Sequence, residues 1–214
     1  MFGRKKKDAS QAESPAPDET TPVAADDPAP DGAAAEPATG PFDESQVDGL
    51  GGRIDLGGIW LRPVQGMEVR LEVEQATEKV SAVQVSIDDA TAQLQAFAAP
   101  RTSGIWDEIR GEIAEMIETN RGTVEEATGP FGTELRTRLP QPGADGRTVF
   151  APAIFVGVDG PRWFLRAVYS GRAAVDEGAR RALDAAVADS VVVRGADPMA
   201  PREMLPLRMP EAAS

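Results

Sequence analysis

The 214-residue chain contains neither cysteine nor histidine. Without imidazole no side chain titrates near neutral pH at its ordinary pKa, and no thiolate is present to act as a nucleophile or to hold zinc. Ser-His and Cys-His triads, disulfides and iron–sulfur sites are therefore excluded. Lysine is nearly as scarce: Lys5, Lys6, Lys7 and Lys79 are the whole set, and Tyr169 is the single tyrosine. Lys79 falls at a hairpin tip, too exposed to depress an amine's pKa for covalent catalysis. No run of about 18 apolar residues occurs, which excludes a spanning helix. No P-loop, dinucleotide fingerprint or nucleophile elbow is present either. Gly49-Leu50-Gly51-Gly52 and Gly57-Gly58 are turn glycines, because no helix opening with Lys-Ser/Thr follows them. No catalytic residue, metal ligand set or cofactor is expected.

What is present divides the chain. Residues 1–40 open on the basic run Arg4-Lys5-Lys6-Lys7, then carry eight acids among prolines and alanines, with almost no large apolar side chain. Such a segment cannot offset the entropy of ordering and reads as a disordered tail. The basic run is followed by no apolar segment, so it is not a secretory signal, and glycine is third rather than second, so the myristoylation pattern fails. With zero cysteine, a cytoplasmic location is expected. Residues 41–197 read as one domain and 198–214 as an extended Pro/Met-rich segment. Beyond the tail, 18 basic residues face 27 acidic ones, a balance that repels nucleic-acid phosphates and anionic lipid.

Apolar periodicity supplies the elements. Glu68 to Glu74 alternates polar and apolar, Val80 to Ile87 follows, and Ala92 to Ala98 places Leu94 inward with Gln93 and Gln95 outward, the period of half-buried strands. Ile59 to Arg62 is a further strand. Ile105, Ile109, Ile113 and Met116, widened by Trp106 and Ile117, recur at helical spacing. Strands are read at Glu134–Leu139, Val149–Val158 and Arg162–Tyr169, with Asp159-Gly160-Pro161 as a turn. A second helix spans about 174–188 through Val175, Ala179, Leu183 and Val187, with a break near Asp176 because Gly178 weakens it, and Val191-Val192-Val193 closes the domain. The fold class is α+β, a mostly antiparallel sheet with two helices packed on one face. Ser103-Gly104 before Asp107-Glu108 and Ser170-Gly171 before Asp176-Glu177 suggest an internal duplication.

Several side chains are candidates for recognition. Arg101 and Ser103 precede the first helix and Arg172 begins the second, where free N–H groups favour anions. Arg162 and Arg166 alternate with Trp163 and Leu165, so their guanidinium groups are expected on one face. The competing reading is structural pairing with the acids of each first helical turn. Trp106 and Trp163 fit a core with Phe97, Phe155 and Phe164, or a contact to a partner; Trp60, before Leu61-Arg62-Pro63, fits an edge. Met204, Leu205 and Leu207 lie in an apolar, proline-bearing segment that either straps onto its own domain or docks into another protein's groove; self-docking is the default. Glu108, Glu112 and Glu115 share a helix face that could hold Mg²⁺ for a hydrolase, or simply face solvent. Asp88-Asp89 and Glu125-Glu126 are loop acids.

The stretches Gly40-Pro41-Phe42-Asp43, Leu94 to Arg101, Gly104-Ile105-Trp106-Asp107-Glu108, Gly129-Pro130-Phe131-Gly132, Gly157 to Arg166 and Leu205-Pro206-Leu207 together resemble a family of uncharacterised actinobacterial proteins classed only as a domain of unknown function. The resemblance spans about residues 40–210 and carries over no activity, cofactor or catalytic residue. It implies a neighbourhood of dUTP pyrophosphatase genes, hence nucleotide metabolism, and it directs attention to the Pro-Arg pairs at 100–101 and 161–162. The reading adopted is a non-catalytic protein-interaction or regulatory module whose partner is another protein. The alternatives are a site for a phosphorylated small molecule or nucleotide using Arg101, Ser103, Arg162 and Arg166, and the Mg²⁺-dependent hydrolase.

Overall fold

A computed structural model describes residues 40–75, 78–101 and 104–210; the expected tail lies outside them except for Gly40, and Ser103 lies outside them as well. The chain opens with β1 (Phe42–Asp43) and a 3-10 turn (Glu44–Gln46), then β2 (Ile54–Asp55) and β3 (Ile59–Leu61). A meander of β4 (Met67–Glu74), β5 (Lys79–Ile87) and β6 (Ala90–Ala98) leads into α1 (Trp106–Thr119). A second meander, β7 (Thr123–Gly129), β8 (Gly132–Pro142), β9 (Thr148–Gly160) and β10 (Trp163–Gly171), leads through a 3-10 turn (Arg172–Ala174) into α2 (Glu177–Ala188), and β11 (Val191–Val192) follows.

The meanders join into one seven-stranded sheet ordered β4-β5-β6-β10-β9-β8-β7, antiparallel throughout. Its seam is the β6–β10 ladder, from Ala98 opposite Trp163 to Ala90 opposite Gly171. Each half is thus a meander whose last strand lies at the centre and feeds a helix, which is the topological form of the suspected duplication. β1-β11-β3-β2 make a second, four-stranded sheet in which β1 and β11 run parallel. The mostly antiparallel α+β class agrees with the sequence.

The two helices do not share a face, contrary to expectation. Neighbouring residues of a strand point to opposite sides of a sheet, and in β10 Phe164 belongs to the cluster around Trp106, Ile113 and Ile117 of α1, whereas Trp163, Leu165, Ala167 and Tyr169 belong to the cluster around Leu183 and Val187 of α2. Both faces of the centre are therefore buried, and the sheet is the middle layer. Two stripe positions are also corrected: Met116 is 56% and Val175 71% exposed. Ile117 takes the place of Met116. Val175 falls before the break the sequence anticipated, since Asp176 is the N-cap of α2, accepting from Gly178 and Ala179 N–H. Glu125-Glu126 lie in the edge strand β7 rather than in a loop. Its residues are mostly exposed, so little apolar alternation marks it.

The C-terminal residues strap onto the domain. Leu205 N–H donates to Ala96 O (2.8 Å), Ala98 N–H to Glu203 O (2.7 Å) and Arg202 N–H to Ala98 O (2.8 Å), so the segment pairs with β6 beyond Leu94, where the β5–β6 ladder ends. Gly58 N–H donates to Pro206 O and Arg208 N–H to Leu56 O, which ties the same segment to the loop between β2 and β3.

Candidate functional site

The chemistry-bearing side chains gather in three places. The first is a cleft of about 500 Å³ whose lining includes Asp43, Glu44, Ser45, Arg162, Arg194 and Gly195. β1 sets Asp43 at the start of its 3-10 turn, where the carboxylate caps Ser45 N–H (3.0 Å) and accepts the Ser45 hydroxyl and the Trp163 indole N–H (2.8 Å). Burial pushes the Asp43 carboxyl up, but the Ser45 and Trp163 hydrogen bonds and the nearby Arg162 charge outweigh it and hold it below the usual value. Arg162 occupies the β9–β10 turn with φ 64°, not the strand. Its guanidinium therefore lies in this cleft while that of Arg166, in β10, stacks on Phe97 (5.6 Å) on the α1 side. The sequence expectation of one shared face is corrected: alternation holds only inside the strand.

The second place is a cleft of about 540 Å³ between the β7–β8 turn and α2, lined by Gly129, Pro130 and Phe131, by Arg136, and by Arg180, Arg181 and Asp184 among others. Beneath it Glu134 of β8 is 1% exposed and Arg180 of α2 is 4% exposed. Arg180 Nη1 meets both Glu134 oxygens at 3.2 and 3.3 Å, while its Nε meets Asp184 Oδ2 at 3.1 Å. Arg136 Nε adds a bond to Glu134 (3.0 Å). The Arg180 guanidinium lies 5.5 Å over the Tyr169 ring, and burial, then the Asp184 carboxylate, push the Tyr169 phenol well above its usual value. A Cβ on Gly129 would sit 2.0 Å from Glu134 Oε2, so glycine is what lets the carboxylate tuck under the turn. Sequence reasoning missed this network. Its signal was a charged residue, Arg180, three and seven positions before Leu183 and Val187 on the apolar stripe of α2.

The third is Arg166 itself. Its Nη2 donates to Gln95 Oε1, its buried Nε has no acceptor among the described residues, and burial holds its pKa below the usual value.

The remaining candidates are engaged by the protein. Asp159 of β9 accepts from the Ile105 and Trp106 N–H groups (3.0 and 3.3 Å) at the start of α1, so a carboxylate of the chain already occupies that anion-favouring end. At α2, Asp176 does the same and is bridged by Arg172 (3.1 Å). Arg101 is exposed at a bend. Arg202 of the strap bridges Glu108 and Glu112, each at 3.0 Å, and among the described residues no group of three acidic side chains is arranged to hold a metal. Trp106 is buried and donates to Thr133 O (2.8 Å), stacking on Phe164; Trp163 is buried in the other cluster. Trp60 is half-buried in β3, between the buried Ile59 and Leu61. Leu205 is buried, and Met204 and Leu207 half-buried, with Met204 bridged to Phe97 and Leu207 to Gly57. No helix among the described residues is long and apolar enough to cross a membrane.

A family model described as a protein of unknown function (DUF3710) matches residues 40–214. No curated protein and no solved structure matches the chain.

Proposed function

Since the chain belongs to the DUF3710 family of proteins of unknown function, which brings no activity with it, we propose that it is a non-catalytic protein-interaction module. The observation that carries this reading is the outer half of the β8–β9 hairpin. β7 pairs with β8 only as far as Arg138, and β10 pairs with β9 only from Ile154 onward. Leu139 to Pro142 and Thr148 to Ala151 therefore pair with each other alone, as an arm beyond the sheet. Val149 and Phe150 on that arm are each 48% exposed. Exposed large apolar side chains on a projecting element are what a protein partner's pocket covers, and aromatic residues are enriched at such contacts. The acidic balance of the domain favours a partner with basic residues around an apolar pocket. The internal engagement of the α1 carboxylates by Arg202 supports a binding role over the hydrolytic alternative.

The test is capture from native lysate with wild-type protein and a Val149→Ser/Phe150→Ser double variant whose fold is verified by circular dichroism. A near-stoichiometric protein held by the wild type and lost by the variant is the expected result. Equal retention by both, or no protein above background, refutes the reading.

A further inference from the structure

Arg162 stands where a glycine would be expected. Pro161 and Arg162 form the two-residue turn between Gly160 and Trp163, which pair across β9 and β10. Arg162 is held at φ 64°, and its carbonyl is pinned by Ala99 N–H at 2.8 Å. A side chain at the second position of a Pro-led turn with positive φ is strained relative to glycine. Strain kept against an easy remedy points to use of the side chain.

The surroundings say what use. Acids outnumber bases in this chain by 35 to 22, yet Arg162 has no ion pair within 4 Å among the described residues, and neither has Arg194 in the same cleft. Arg194 Nη1 donates to Asp197 O (3.1 Å), and its buried Nε has no acceptor among the described residues. Asp43, the carboxylate that acts on Arg162, is turned toward Trp163 and Ser45 and already accepts three hydrogen bonds from them. It anchors Arg162 electrostatically without neutralising it at contact. Two guanidiniums free of carboxylate contact thus share one concavity of about 500 Å³, a size that suits a small molecule. We infer that this cleft binds the oxyanion group, phosphate or carboxylate, of a small molecule between Arg162 and Arg194, the planar forks supplying paired N–H donors. Asp43 and Glu44 in the same lining oppose a high ligand charge, so a single oxyanion fits better than a polyphosphate chain.

The experiment uses the full chain, following thermal unfolding while inorganic phosphate or acetate is titrated at constant ionic strength, alongside the variants Arg162→Gly and Arg194→Gln. Expected is a saturable rise in Tm with at least one anion, weakened tenfold or more in each variant. The anion that acts distinguishes a phosphate from a carboxylate ligand. In the absence of anion Arg162→Gly should melt no lower than wild type, because glycine relaxes the turn. The inference is overturned if neither anion acts saturably, if the variants respond like wild type, or if Arg162→Gly alone lowers Tm, which would make the side chain structural.

Discussion

Glu134 and Arg180 are both almost sealed from water, and each depends on the other for the charge it brings inside. Removing one member of a buried pair leaves an uncompensated charge, at a cost of about 3–5 kcal/mol. Here Asp184 stays on Arg180, so Glu134→Gln is expected near the lower end, about 3 kcal/mol, read as a fall in the urea midpoint at unchanged slope. A loss below ~1 kcal/mol would show that Asp184 alone neutralises Arg180. At this scale the sequence was informative about types and silent about partners. That Trp106 and Trp163 belong to core could be read from their apolar neighbours, and their burial follows. That Glu134 and Arg180, 46 residues apart, would meet could not, because an ion pair between a strand and a helix depends on how they cross.

The strands with a clean period of two, such as Met67–Glu74 and Ala90–Ala98, lie close to where the alternation puts them, because burial of one face imposes that period on the sequence. β7 escaped because its side chains are mostly exposed, so burial imposes little apolar period on it. The start of α1 depends on a residue far away in the chain. Ile105 makes no side-chain cap bond of its own, and Asp159, 54 residues downstream, supplies the acceptor. Asp159→Ala is therefore expected to destabilise the protein by about 1 kcal/mol, the usual worth of a cap. Amide exchange should accelerate first at Ile105 and Trp106. Unchanged protection there would mean that those N–H groups find another acceptor. The assignment of helices to faces failed at the same scale: both amphipathic stripes are real, but a stripe states that a helix is covered, not which side of the sheet covers it.

At the scale of the molecule, the C-terminal strap joins layers that are far apart in the chain. It pairs with β6, bonds to the loop between β2 and β3, and sets Arg202 on Glu108 and Glu112 of α1. A chain ending at Pro198 loses all of these at once, together with the buried Leu205, whose truncation to alanine alone would cost about 2–5 kcal/mol. The shortened chain is expected to unfold at markedly lower urea, with loss of exchange protection at the Ala98 amide; wild-type stability would mean the strap is dispensable. The sequence by itself determined the exclusions, the α+β class and the period of each main element, since residue chemistry and local burial are written position by position. The tertiary structure alone decided that the helices take opposite faces, that Arg162 and Arg194 share a cleft, and that Glu134 finds Arg180. Each of those depends on strand order and register, which bring distant residues within a few ångströms and leave no trace in local spacing.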